Sequence, residues 1–96
     1  LDGKITALAG THTHTPTGDC RILPRGSAFI TDVGMTGPYD SVLGMKKEAA
    51  LKRLVLGTPH KYEVASNDVR LCGLLVKADP ATGKALSAEH IIFPAF

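Results

Sequence analysis

Ile5-Thr6-Ala7-Leu8-Ala9-Gly10-Thr11-His12-Thr13-His14 is the stretch on which the fold turns. Ile5 to Ala9 is a short apolar run stopped by a glycine, the pattern of a buried strand that releases its last residues into a loop. From Thr11 to Gly26 the chain is rich in Thr, Gly and Pro and has no helical period, so a long loop follows. Loops at strand ends are where functional side chains collect. Outward from there, Ala28-Phe29-Ile30-Thr31 predicts a second short strand. Asp32 to Asp40 predicts an irregular segment, because its glycines and proline break any long regular element.

One helix is predicted, from about Met45 to Leu56. Ala50, Leu51, Leu54 and Val55 recur at three-to-four-residue spacing and are expected to form its core-facing stripe, with Lys46, Lys47, Glu48, Lys52 and Arg53 mostly outside it. Gly57 followed by Pro59 is a stop signal. Lys61 to Val64 and Val69 to Val76 read as strands, the second apolar on both faces and therefore central in its sheet. Asp79-Pro80-Ala81-Thr82-Gly83 is a tight connection leading into a returning strand from Ala85 to Ile92, so the chain ends in a hairpin. The class is α/β, or α+β by local order. Residues 1–96 read as part of a single domain with no internal boundary, repeat or low-complexity tract.

A net charge of +2, from 11 basic and 9 acidic residues, with the lysines of the helix on a solvated face, gives no reason to expect a nucleic-acid polymer as partner. No apolar run approaches the roughly 20 residues of a membrane helix, and no signal peptide is visible. Cys20 and Cys72 lie far apart without a Cys-x-x-Cys spacing; buried free thiols in a reducing cytoplasm are expected. The chain opens on Leu1-Asp2-Gly3-Lys4 without a methionine and is expected to start inside a longer protein.

His12 and His14 carry the chemistry. Imidazole suits zinc, iron, manganese and nickel alike, so the pair points to a transition metal without naming it. A two-metal hydrolytic centre also needs carboxylates. Asp19, Asp32 and Asp40 are the loop candidates, although Asp19 beside Gly18 has the alternative of a turn role and Asp40-Ser41 that of capping a turn before the helix. His60, after Pro59 at the helix exit, and His90, on the last strand, read as structural.

The segments Gly10 to Asp19, Ile22-Leu23-Pro24 and Ile30 to Val42 resemble the C-terminal part of a bacterial metallophosphoesterase family. That family lies within the calcineurin-like superfamily, and its members are commonly labelled 2′,3′-cyclic-nucleotide 2′-phosphodiesterases. The resemblance extends over essentially the whole chain and is most specific from Asp32 to Met45. It implies the C-terminal portion of a metallophosphoesterase β-sandwich flanked by helices, about the last third of the full enzyme. It implies two metal ions, iron or manganese with zinc as an alternative. Within that match His12 binds the second metal and His14 the first, while the remaining ligands and the general acid come from upstream. Thr11, between Gly10 and the first histidine, matches this family; Thr15 and Gly18 depart from it outside the ligand set. The implied activity is metal-assisted hydrolysis of a small phosphodiester such as a cyclic nucleotide, this chain being inactive alone.

Thr36, Gly37 and Tyr39, with Met35 and Pro38, either line the substrate cleft or a subunit contact, as in a homo-oligomer, or form a rigid structural loop. Two rival functions stand beside the enzyme. One is a non-catalytic module that folds by docking on a partner, the missing N-terminal part of the same protein among them. The other is an isolated metal-binding domain using the His pair with Asp19.

Overall fold

The computed structural model describes residues 1–96. The first apolar run becomes β1 (Ala7–Ala9), shorter than expected because Ile5 bridges back to Asp2 instead. The predicted loop contains a two-residue strand, β2 (Arg21–Ile22), and is followed by β3 (Ala28–Ile30). These three form one sheet in the order β1-β3-β2. β1 runs parallel to β3, pairing Ala7 with Ala28 and Ala9 with Ile30, while β2 is antiparallel to β3. Parallel pairing needs a crossover of a dozen residues or more, and the stretch from Gly10 to Ser27 supplies it without a helix.

Side chains two apart on a strand share a face. Ala28, Ile30 and, one step beyond the strand, Asp32 are all buried, and Ser27 is buried beside them. This small cluster is the best-covered part of the chain.

The second sheet has the order β4-β5-β6, from β4 (Gly37–Pro38), β5 (Val69–Ala78) and β6 (Ala85–Phe93). The expected hairpin is present, with Cys72 opposite Ile92 and Leu74 opposite His90. Asp79 N–H donates to Lys84 O at 2.8 Å and Gly83 N–H to Asp79 O at 2.7 Å, closing the turn. β5 is central in the strand order, as expected, but its apolar faces are not covered: Cys72 alone is buried, while Leu71 and Leu75 are exposed. β6 also lies against β2 and β3 and so ties the two sheets together.

The helix α1 spans Lys47–Leu56 and stops at Gly57, whose φ of 64° is the left-handed cap that glycine adopts without penalty. Its expected core stripe is a correction. Only Ala50 is buried, whereas Leu51, Leu54 and Val55 are 55%, 77% and 78% exposed. Periodicity identifies a face able to bury; here no strand packs closely against it. The helix is held by its polar rim: Lys46 Nζ lies 2.8 Å from Glu63 Oε2, and the Arg53 guanidinium sits 3.9 Å from the centre of the Tyr62 ring. The strand expected from Lys61 to Val64 is reduced to a single bridge between Met45 and Val64. Cys72 is buried, but Cys20 is only half-buried, and both are free.

The result is a mixed α/β chain of two small sheets and one helix. Its radius of gyration is 17.1 Å and its extents are 55 × 26 × 17 Å, against about 12–13 Å for a compact domain of this length. No helix is long and apolar enough to cross a membrane.

Candidate metal-binding loop

Gly10 carries the chain out of β1. A side chain there would place its Cβ 2.0 Å from the Thr31 carbonyl oxygen, so only glycine fits. Gly10 N–H donates to Ile30 O at 3.1 Å, and Val33 N–H donates to Gly10 O at 3.0 Å. The loop leaves the sheet here and returns at Thr17, whose N–H donates to Asp32 O at 3.0 Å. Between these points lie His12 and His14, both exposed.

His14 adopts φ 67°, in the left-handed region that non-glycine residues rarely occupy. Its ring Nδ1 is 2.8 Å from the Leu43 carbonyl oxygen. A carbonyl only accepts, so Nδ1 is a donor here, and Nε2 is the nitrogen left available in the neutral ring. Leu43 is itself left-handed, with φ 52°. An imidazole that donates one N–H to a backbone carbonyl and presents the other nitrogen is the arrangement metal-ligating histidines show. The donor chemistry of His14 therefore fits a metal ion.

The three candidate carboxylates are placed differently from the ligand roles considered for them. Asp32 is 2% exposed. Its Oδ2 accepts from His12 N at 2.8 Å, Thr13 N at 2.6 Å and Thr13 Oγ1 at 2.8 Å, and its Oδ1 from Gly34 N at 2.9 Å. The Thr13 and Gly34 amides lead the bonds that hold its pKa down to about 2. Asp19 accepts from Thr31 Oγ1, from Thr17 Oγ1 at 2.7 Å and from Thr31 N at 3.1 Å, and these hydroxyls and amide lower its pKa to about 2. Asp40 is paired with Lys47 Nζ at 2.7 Å, which raises the lysine pKa. No group of three or more His, Cys, Asp or Glu side chains converges on a common point in the chain.

Thr36, Gly37 and Tyr39 tie their segment to β5. Thr36 Oγ1 donates to Cys72 O and accepts from Cys72 N, both at 3.1 Å, and Gly37 pairs with Arg70. The Tyr39 hydroxyl donates to Met35 O at 2.9 Å, accepts from Met35 N at 3.0 Å and lies 3.1 Å from Cys72 Sγ. Burial first, then the Cys72 contact, pushes its pKa up to about 12. Ser41 caps its own turn, donating to Pro38 O at 2.6 Å and accepting from Gly44 N at 2.9 Å; Lys46, which makes no side-chain cap, precedes the helix. His90 is structural but not idle: its Nε2 lies 2.8 Å from Val33 O and bridges β6 to the segment after Asp32. His60 lies 2.9 Å from Thr58 Oγ1 through its own Nε2, away from the His pair.

Sequence reasoning missed the Leu43 carbonyl, because a backbone acceptor leaves no mark in residue type. It saw Asp32 but not its role. The available signal was Asp32-Val33-Gly34, the spacing of an Asx turn, realised in the bond from Gly34 N–H to Asp32 Oδ1.

Comparison with known proteins places the chain in a family. Over 91 residues the chain is 48% identical to a 2′,3′-cyclic-nucleotide 2′-phosphodiesterase of Bacillus subtilis (strain 168), covering 95% of this chain and 34% of that protein. It is 42% identical over 92 residues to a putative phosphatase/phosphodiesterase of Mycoplasma pneumoniae, covering 95% of this chain and 33% of that one. The chain thus spans about a third of the length of these relatives. Among solved structures it matches a novel phosphatase from Mycoplasma pneumoniae with TM-score 0.91 and 41% identity, over 96% of this chain and 33% of the other. It matches a hypothetical protein from Thermus thermophilus with TM-score 0.89 and 35% identity, over 97% and 36%. The family model described as YmdB-like protein matches residues 1–91, and the chain belongs to that family.

Proposed function

We propose that this chain is part of a metal-dependent phosphodiesterase, to which it contributes His12 and His14 as two ligands of a dinuclear centre. The observation that carries this reading is the His14 ring, oriented by the Leu43 carbonyl so that Nε2 is the free donor. The B. subtilis and M. pneumoniae relatives, named as phosphodiesterase and phosphatase/phosphodiesterase, support hydrolysis of a small phosphodiester, a cyclic nucleotide among the candidates. When bound, two transition-metal ions, iron or manganese before zinc, supply the Lewis acidity that lowers the pKa of a water molecule and neutralises phosphate oxygens. The residues of this chain carry two imidazoles on the loop that leaves β1, and the Leu43 carbonyl orients one of them. The carboxylates of a two-metal site come from outside these 96 residues, and so does activity.

On this reading the two small sheets are the C-terminal portion of a larger β-sandwich flanked by helices. The exposed apolar residues of α1 and of the hairpin, Leu71, Leu75 and Leu86 among them, are where the remainder packs. The same exposure favours the rival reading of a module that folds on a partner. A self-sufficient metal domain built on Asp19 is disfavoured, because both oxygens of that carboxylate are held by Thr17 and Thr31.

The test is hydrolysis of bis(p-nitrophenyl) phosphate, with metal content measured in parallel, by the full-length protein carrying this chain. Replacing both His12 and His14 by alanine is expected to remove bound metal and lower turnover at least about 100-fold. Full activity and unchanged metal in the double variant would sink the proposal.

A further inference from the structure

We propose that Asp32 is the positioning residue of the His12–His14 pair, a carboxylate that shapes the metal-binding loop without entering the ligand set; this rests on the metal reading of the pair. The loop closes on Asp32 from both sides. On the outgoing side its carboxylate takes the amides of His12 and Thr13 and the Thr13 hydroxyl. On the returning side Thr17 clasps its backbone, with Thr17 N–H donating to Asp32 O at 3.0 Å and Asp32 N–H donating to Thr17 Oγ1 at 2.9 Å. Forward, Oδ1 holds Gly34 and so fixes the start of the segment that ends at Leu43, the acceptor of the His14 ring. One buried side chain therefore joins the backbone of the first histidine to the segment that orients the second.

The residue type follows from the donor count. Three donors converge on Oδ2 and a fourth on Oδ1, so the side chain must accept at both oxygens. An asparagine offers one oxygen and an NH2 that donates, which leaves at least one buried amide facing another donor. Both oxygens accept from the loop's own donors and the residue is 2% exposed, so the carboxylate faces the loop and not solvent.

The experiment uses the full-length protein carrying this chain, Asp32→Asn and Thr13→Val variants, and Mn²⁺ as the probe metal. Amide hydrogen exchange on the metal-free protein reads the clamp directly. Asp32→Asn is expected to speed exchange at the His12 and Thr13 amides while leaving the β5–β6 hairpin unchanged. Mn²⁺ titration is expected to show affinity about 10–100-fold weaker with the same number of bound ions. Thr13→Val, which removes one of the four bonds together with the hydroxyl's contacts to Thr15, is expected to show a smaller loss; with Thr15→Val as the control for those contacts, it decides the matter if Asp32→Asn does not fold. Unchanged exchange and affinity in the variants overturn the proposal. Loss of one whole equivalent of Mn²⁺ also overturns it, since that marks a ligand. Should His14→Ala leave Mn²⁺ binding intact, the metal reading fails instead, while the exchange data still judge the clamp.

Discussion

Around β3 the chain is closed on itself, and along α1 it is open. In the first region Ser27, Ala28, Ile30 and Asp32 are buried together, and the carboxylates of Asp19 and Asp32 find all their donors within the chain. In the second, Leu54 and Val55 stand in solvent, and the contacts that hold the helix are ion pairs and a stacked guanidinium at its rim. Exposed ion pairs contribute little, about 0–1 kcal/mol each. The difference shows that the geometry of the His pair is organised locally, by polar contacts close to it. The apolar half leaves Leu51, Leu54 and Val55 uncovered, the face to which the proposed function assigns packing against the rest of the protein.

Substitutions that strike the closed region are expected to have the largest effects. Ile30→Ala removes a fully buried side chain from its centre and is expected to cost about 2–5 kcal/mol in urea unfolding. A cost under about 1 kcal/mol would mean that this cluster is not the core. Gly10→Ala drives a methyl group against the Thr31 carbonyl, for an expected loss of about 1–3 kcal/mol. It should also disturb the His12 and His14 resonances, and a variant with wild-type stability and spectra would contradict the tight exit described for β1.

Asp19 tests the polar side of the same region through pH. Its folded pKa, about 2, lies below the ordinary 3.8, so its stabilising bonds are complete above about pH 4 and fade as pH falls toward 2. Asp19→Asn is therefore expected to be less stable than the parent near neutrality, with the gap narrowing through that acid window. Denaturation midpoints measured from pH 6 to pH 2 check this, and a constant gap would refute it.

The smallest effect belongs to the open region. Leu54→Ser is expected to change the stability of the 96-residue chain by no more than about 0.5 kcal/mol. In the full-length protein the same substitution is expected to cost several times more, since the proposed function has the remainder of the protein pack on this face. Equal, near-zero effects in both would remove the reason for regarding α1 as a packing surface.

These regions also differ in how far the sequence revealed them. The β5–β6 hairpin and the stop at Gly57 were legible because period-two apolar runs, a Pro-to-Gly turn and a glycine cap are strong local signals. β2 and β4 were not, since two residues cannot show a period and their pairing is decided by β3 and β5. The α1 stripe was legible as a pattern, but a pattern does not reveal whether a partner surface lies opposite. In the site, His12 and His14 announced themselves by residue type. Asp32 was visible as a carboxylate, yet its role follows from donors that include three backbone amides, and the Leu43 carbonyl is invisible to any reading of side chains.

The most direct test of the metal reading is an anomalous-diffraction map of the full-length protein loaded with Mn²⁺. A metal peak is expected within coordination distance of His14 Nε2, roughly the 2.0–2.1 Å seen for zinc and imidazole nitrogen, with Nδ1 still on the Leu43 carbonyl and a second peak at His12. Peaks remote from both rings, or a metal on Nδ1 with the Leu43 contact broken, would contradict it.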